Sequence, residues 1–391
     1  MSSNTSYGEY ALNSNTGYQN SGFGISTIQN GSGDYNTAVG AFSLAKNTTG
    51  TSDTSVGTNA LLSNTNGSYN TAVGTAAMCF NTTGDLNTAL GSNALENNIN
   101  GTENTAIGCQ ALFNNVGPTT SQPNAGIQNV AVGYSALKTN TGYQNVAVGC
   151  NSLMANTTGS VNVAIGHVAL YKNTTGNGNI AIGNNALGNN TTESSSIAIG
   201  TQALSSNDTG ANNTAIGTLS LKTNTTGENN TAIGYESMLS NLNGNSNTAI
   251  GTSALFYNSS GYNNTAIGTL SLTTNTTGYK NTAIGTNALL NNISGYNNIA
   301  IGVNAGAGST GSYQITTQNN CIVIGNNTTL ISNDAMILGS SNNNVIIPGI
   351  NQTVSTPGST GVPGTMVFNN SNHTLYIYDA SGNGWMSNVF T

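Results

Sequence analysis

The residues that could carry chemistry are few and scattered along the chain. The two histidines, His167 and His373, lie about 200 residues apart, and no Cys, Asp or Glu pattern surrounds either one. A metal site needs three or four convergent ligands, and nucleophilic catalysis needs a nucleophile beside a positioned base. The sequence shows neither arrangement. We therefore expect no catalytic residues, no metal and no cofactor, and we expect that the protein is not an enzyme.

Two other patterns resemble chemical motifs without completing them. Residues 306–311 match G-x-G-x-x-G, but a dinucleotide site also needs a following helix and an acidic residue about 20 positions on, and residues 312–320 are not helix-like. Cys109 and Cys150 lie two repeats apart, which is roughly 10 Å on the spacing of stacked strands. That separation exceeds the reach of a disulfide, about 7 Å between Cα atoms. We expect neither a nucleotide site nor a disulfide framework.

The composition excludes further classes of function. Charged residues make up 4% of the chain, and five Lys or Arg at a net charge of −7 cannot form the basic surface of a nucleic-acid-binding protein. No run of about 18 apolar residues is present, so we expect no membrane insertion. The N-terminal residues lack the basic and apolar segments of a secretory signal peptide.

A tandem repeat organises most of the sequence. Its unit reads Asn-Thr-Ala-Ile-Gly-x-x-Ala-Leu-x-x-Asn-Thr-Thr-Gly-x-x, and we number its positions 1 to 17. Eighteen copies cover about residues 4–310, and the step between position-5 glycines is 17, except for three steps of 16 and one of 25. In most copies a glycine occurs every seven to ten residues, and glycine destabilises the interior of a helix, so the repeat is not helical. The repeat therefore predicts an all-β fold.

The pattern within the unit predicts a parallel β-solenoid of about 18 coils over residues 1–310. Positions 1 to 5 alternate as a strand does, so positions 2 and 4 point one way and positions 1, 3 and 5 the other. Stacked coils place equivalent residues about 4.8 Å apart, and no single coil can bury its own apolar face. We expect positive φ in the turn around Asn275–Gly278 and hydrogen-bonded ladders of Asn at positions 1 and 12.

The aliphatic residues at position 4 predict contact between chains. A coil made of a single repeat has a narrow interior, which we expect Ala283, Gly285 and Ala288 to fill in one copy. Position 4 would then form an outward stripe larger than a monomer usually exposes, and we predict a parallel homotrimer with this stripe at its axis. The alternative is that Ile284 and Leu289 share one roomy core. The predicted axis residues are Ile107, Ile165, Ile216, Ile233, Ile250, Ile267, Ile284 and Ile301.

Residues 281–289, Asn-Thr-Ala-Ile-Gly-Thr-Asn-Ala-Leu, resemble the head repeats of trimeric autotransporter adhesins and, more closely, the longer repeats of tail-fibre-like proteins of phages, giant viruses and Bacteroidota. The resemblance covers the repeat region, which is most of the chain. It implies a left-handed parallel β-roll assembled as a trimer. The adhesin heads have a shorter repeat and carry a signal peptide, a stalk and a membrane anchor that this sequence lacks, which favours a virion fibre.

The sequence predicts four regions after these considerations. Residues 1–310 form the rod with an inserted loop at 117–126, residues 311–348 form irregular terminal coils, residues 349–364 form a linker, and residues 365–391 form a C-terminal β-hairpin module that caps the solenoid. Caps are expected because an open coil end exposes strand edges. Aromatic residues concentrate in the last module, so we expect Tyr376, Tyr378 and Trp385 to form a tip.

These features predict a structural fibre that attaches to a host cell or surface and is located on the virion surface or outside the cell. Its expected partners are copies of itself and a host receptor or glycan. Tyr262, Tyr279 and Tyr296 recur at position 16 and are predicted to form an exposed ladder, either as glycan contacts or as a stack that stiffens the edge. The alternatives are a bacterial surface adhesin head and an ice-binding solenoid, for which Thr at positions 2 and 6 would provide the ice-binding face.

Overall fold

The computed structural model describes residues 3–307, 317–328 and 333–339, together with the backbone of three strands within 366–389. The described residues contain strands and turns but no α-helix, so they include no helix that could cross a membrane. The chain divides into two units, Met1–Ile337 and Leu338–Thr391.

Twenty short strands form one parallel sheet in which each strand pairs with its neighbours along the chain. This confirms the predicted β-solenoid, with about 19 turns rather than 18. Each coil is named here by its strand. The strands are β1 Thr5–Tyr7, β2 Ser21–Phe23, β3 Thr37–Val39, β4 Thr54–Val56, β5 Thr71–Val73, β6 Thr88–Leu90, β7 Thr105–Ile107, β8 Val130–Val132, β9 Val146–Val148, β10 Val163–Ile165, β11 Ile180–Ile182, β12 Ile197–Ile199, β13 Thr214–Ile216, β14 Thr231–Ile233, β15 Thr248–Ile250, β16 Thr265–Ile267, β17 Thr282–Ile284, β18 Ile299–Ile301, β19 Ile322–Ile324 and β20 Met336–Leu338.

The core is a narrow column of Ala and Leu. In the β17 coil, Ala283 and Ala288 are fully buried and Leu289 is 1% exposed. The register places Ala283 against Ala266 and Ala300 of the adjacent coils, so each interior residue packs on its own copies. Burial of these side chains is therefore possible only in the stack, as expected for a repeat that cannot form a core alone.

The prediction that Gly285 fills the interior is wrong. Gly285 lies at a half-exposed corner with φ 129°, and a Cβ there would lie 2.4 Å from the carbonyl oxygen of Gly302 in the next coil. Glycine is required because only a residue without Cβ permits both this backbone conformation and this close stacking.

The expected location of the left-handed residues is also wrong. The turn glycine Gly278 has no positive φ. The left-handed residues are instead Lys280 (φ 55°), Asn287 (φ 58°) and Leu289 (φ 49°). A leucine in this region costs roughly 1–2 kcal/mol. Its side chain is buried in the column, and that burial offsets the cost.

The single long step of the repeat, from Gly108 to Gly133, is an inserted loop, as predicted. Asn115 keeps its place in the stack, and its Nδ2 donates to the carbonyl oxygen of Gly126 (2.8 Å), which takes the place of the turn glycine. Beyond β18 the spacing becomes irregular, but β19 and β20 continue the same parallel sheet. Two of the predicted irregular coils are thus part of the solenoid sheet.

The second unit contains an antiparallel sheet of β21 Met366–Asn369, β22 Thr374–Asp379 and β23 Gly384–Val389. The pairing of β21 with β22 confirms the predicted hairpin, to which β23 adds a third strand. The predicted linker at 349–364 and residues 308–316, which include part of the G-x-G-x-x-G match, lie outside the described residues. The capping role of the C-terminal sheet stays a prediction.

Candidate functional sites on the solenoid surface

The aliphatic stripe consists of the position-4 residues from Val39 to Ile301 and lies on the outside of the solenoid. The eight isoleucines predicted for the trimer axis, Ile107, Ile165, Ile216, Ile233, Ile250, Ile267, Ile284 and Ile301, are each 36% to 39% exposed. The alternative of a shared core is wrong, because Leu289 is inside while Ile284 is outside. The exposed fraction is moderate because each isoleucine stacks on those of the coils before and after it.

The residues beside the stripe add to its apolar character. Position 2 shares its face and is Thr in most coils, but it is Val or Ile in five consecutive strands, from Val130 to Ile197. No charged residue occupies position 2 or 4 in strands β1 to β18. The outward face of the sheet is thus an uncharged surface that runs along the first unit.

Two asparagine ladders run through the stack, as predicted. At position 12, Nδ2 of Asn275 donates to Oδ1 of Asn258 (2.9 Å), and Nδ2 of Asn258 donates to Oδ1 of Asn241 (2.7 Å). At position 1, the backbone N–H of Asn298 donates to Oδ1 of Asn281 (3.1 Å), whose Nδ2 donates to the carbonyl oxygen of Gly295 (2.7 Å). These side chains are buried and hydrogen-bonded along the axis, so their role is structural rather than ligand-binding.

Asp53 is a buried carboxyl group within the position-1 ladder. Its Oδ1 accepts hydrogen bonds from the backbone N–H (2.8 Å) and Nδ2 (3.1 Å) of Asn70, and its Oδ2 accepts from Nδ2 of Asn64 (3.1 Å). Desolvation by burial raises the pKa of Asp53 to about 7, and the charge of Asp85 adds to the rise, while the Asn70 hydrogen bonds oppose it. Position 1 was expected to be a ladder of Asn, and the sequence analysis did not identify the buried carboxyl group at Asp53.

The three tyrosines at position 16 form the predicted tyrosine ladder. Tyr262 and Tyr279 stack with ring centroids 4.9 Å apart and 5° between planes, and Tyr279 and Tyr296 stack at 4.8 Å and 4°. Burial between its neighbours and the nearby phenols raises the pKa of Tyr279. The rings cover one another's faces within the ladder, and aromatic faces are what a sugar would stack on. The glycan role of this ladder stays a prediction.

A cleft lies between the inserted loop and the two coils that follow it. Its volume is about 210 Å³. It is lined by Gln122, Pro123, Asn124 and Ala125 of the loop and by Thr141, Tyr143, Thr158 and Ser160 of the β8 and β9 coils. Sequence reasoning identified the loop but missed the cleft, because the side chains that face the loop come from coils later in the chain.

The remaining chemically competent residues are dispersed. Cys79 is buried, and desolvation followed by the charge of Glu96 raises the pKa of its thiol, whereas Cys109 is exposed. Nδ1 of His167 lies 3.3 Å from Nδ2 of Asn184, one coil away. Across the described residues, no group of three or more His, Cys, Asp or Glu is placed to hold a metal ion.

The predicted tip residues lie on two strands of the second unit. Tyr378 pairs with Trp385 between β22 and β23, and Tyr376 pairs with Ser387 in the same ladder. The backbone register thus brings Tyr378 and Trp385 together, and the binding role of the tip stays a prediction.

Comparison with known proteins gives no family for this chain. No protein-family model matches it, and no curated protein sequence is significantly similar to it.

Proposed function

We propose that this protein is a structural rod that assembles through the aliphatic stripe into a parallel homotrimer and serves as an attachment fibre on a virion surface. The observation that carries the proposal is the continuous, partly exposed aliphatic row over a core filled by Ala and Leu. A row of this length exceeds the few hundred Å² of apolar patch that a soluble monomer usually exposes.

The spacing of the stripe limits what can cover it. Its side chains repeat with the strands, at about 4.8 Å per coil, over sixteen coils from β3 to β18. A partner must offer apolar groups at the same spacing over the same length, and a second copy of this chain does so. Copies related by a rotation axis along the solenoid bring equivalent coils together at every level. The choice of three copies rests on the resemblance of the repeat to trimeric heads.

The asparagine ladders suit a rigid rod. Every coil from β4 to β17 is joined to the next by buried Asn hydrogen bonds as well as by the sheet. The near absence of charge avoids repulsion between like residues stacked about 4.8 Å apart. The attachment role and the virion setting rest on the resemblance of residues 281–289 to tail-fibre-like proteins.

Immunogold electron microscopy with antibodies against the purified chain tests this function. We expect label on fibres that project from virus particles in the source culture. Label on bacterial envelopes would instead support the adhesin alternative, and label on neither would contradict an attachment fibre. Thermal hysteresis of the purified protein would support ice binding.

A further inference from the structure

We propose that the cleft beside the inserted loop binds a neutral sugar, a single hexopyranose unit of a glycan. The proposal goes beyond the function of the rod and does not depend on its assembly. All lining residues belong to the insert or to positions 13 to 16 of the β8 and β9 coils, and none belongs to the aliphatic stripe.

Both walls of the cleft are held by hydrogen bonds. On the loop side, Nδ2 of Asn100 donates to the carbonyl oxygen of Pro118 (2.8 Å), and the backbone N–H of Gly126 donates to the carbonyl oxygen of Thr141 (3.0 Å). On the coil side, the backbone N–H of Tyr143 donates to Oγ of Ser160 (3.2 Å). A site that is already formed does not lose binding energy to ordering.

The groups that face the cleft suit sugar hydroxyls. The side chains of Gln122, Asn124, Tyr143 and Thr158 make no hydrogen bond within the described part of the chain. Each amide offers donors and an acceptor, and each hydroxyl offers both, which is what a sugar hydroxyl requires of its partners. The ring of Tyr143 and the methylenes of Pro123 supply apolar surface for the C–H groups of a pyranose.

Charge and size narrow the ligand class. None of the eight lining residues is Lys, Arg, His, Asp or Glu, so the cleft offers no counterion to a phosphate, a sulfate or a sialic acid carboxylate. Its volume of about 210 Å³ lies below the roughly 300–1,000 Å³ of pockets that bind drug-sized ligands. One sugar ring therefore fits better than an extended oligosaccharide.

Saturation-transfer difference NMR on the full chain tests the proposal with the methyl glycosides of glucose, galactose and mannose, with N-acetylglucosamine, and with N-acetylneuraminic acid as the anionic comparison. We expect signal transfer to at least one neutral sugar and none to the anionic one. Deleting residues 118–125 restores the ordinary repeat spacing between Gly108 and Gly133, so the coil can still close. This deletion should weaken binding by about tenfold or more.

Point variants keep the test decisive if the deletion does not fold. Asn124→Ala removes an exposed amide from the loop wall. Tyr143→Ser removes the aromatic ring and introduces serine, which the next coil already has at the equivalent position 16 as Ser160. Each should weaken binding several-fold, while Tyr279→Ser in the tyrosine ladder should leave it unchanged. The proposal is overturned if no neutral sugar binds, if only the anionic sugar binds, or if the cleft variants bind the sugar as well as the unaltered chain does. Because the oligomer is not read out here, failure of this proposal is distinct from failure of the proposed fibre.

Discussion

The backbone N–H of Asn70 donates a 2.8 Å hydrogen bond to Oδ1 of Asp53, the residue at the same position of the preceding coil. Most other position-1 residues are Asn, which accept this bond and also donate through Nδ2 to the turn glycine at position 15 of the same coil, as Asn36 does to the carbonyl oxygen of Gly50. An ionised Asp53 has no proton with which to do the same. At Asp53 a buried carboxyl group thus replaces one amide of a structural ladder.

The stability of the solenoid should fall as the pH rises from about 4 to about 7. The folded state raises the pKa of Asp53 from 3.8 to about 7, so the folded protein binds a proton more tightly than the unfolded chain. The resulting stabilisation is fully present below the unfolded pKa and is lost as the pH rises through the folded pKa. The difference amounts to at most about 4 kcal/mol.

Asp53→Asn should remove this pH dependence and stabilise the protein at pH 8, because the amide completes the ladder without a buried charge. Denaturant unfolding at pH 5 and pH 8 measures both effects. Asp208→Asn, at the exposed position 13 of another coil, is the control and should leave the pH profile unchanged. An unaltered profile in Asp53→Asn would show that Asp53 is not the group responsible.

Gly268→Ala should destabilise the solenoid by about 3 kcal/mol or more. A Cβ there would lie 2.6 Å from the carbonyl carbon of Gly285, and the backbone has φ 129°. Gly178→Ala is the matched control, because its new Cβ would meet only Oγ of Ser195 at 4.0 Å, at φ 65°, and it should cost about 1 kcal/mol. Thermal unfolding of the two variants compares them. Equal losses would contradict the close stacking of position 5.

Asn258→Ala should cost several kcal/mol. The substitution leaves Oδ1 of Asn241 and Nδ2 of Asn275 without their ladder partner in a buried position, and each unsatisfied group costs roughly 1–3 kcal/mol. Asn243→Ala is the control because its side chain is exposed and makes no hydrogen bond in the described residues. Chemical denaturation of both variants measures the difference. A mild effect of Asn258→Ala would mean that the ladder contributes little.

Thiol labelling should distinguish two cysteines of the stack. Cys109 is exposed and should react quickly with a maleimide, whereas Cys79 is buried with a raised thiol pKa and should react only on unfolding. Mass spectrometry of the labelled peptides follows the two rates, with the Cys109→Ser variant assigning the fast phase. Rapid labelling of Cys79 in the folded protein would contradict the packing of the β5 coil.

The sequence predicts the strand segments of each coil, in which side chains alternate between the interior and the outer face. Positions 1 to 5 alternate, so the buried Ala283, the buried Asn281 and the outward Ile284 follow from the pattern. The backbone conformation at the corners of the coil could not be predicted, because leucine disfavours positive φ and no neighbouring residue indicates that Leu289 adopts it. The left-handed conformation is imposed by the need to close a coil within a single repeat. The cleft was missed because folding places the insert against coils that come later in the chain.

The burial of Asp53 also depends on contacts between coils that the local sequence does not show. Alternation along the strand predicts which way the position-1 side chain points. The desolvation of the Asp53 carboxyl group depends in addition on how closely the coils stack. That closeness arises from glycines such as Gly268 and Gly285, which admit backbone contacts that a Cβ would exclude.

Sedimentation equilibrium tests the central claim, that the aliphatic stripe is covered by further copies of the chain. We predict a species of three times the chain mass of 39.5 kDa. The variant with Ile233→Lys, Ile250→Lys and Ile267→Lys should dissociate towards the monomer. The control Thr218→Lys places a lysine at an exposed position 6, outside the stripe, and should remain assembled. A wild-type protein that sediments as a soluble 39.5 kDa monomer would contradict the account.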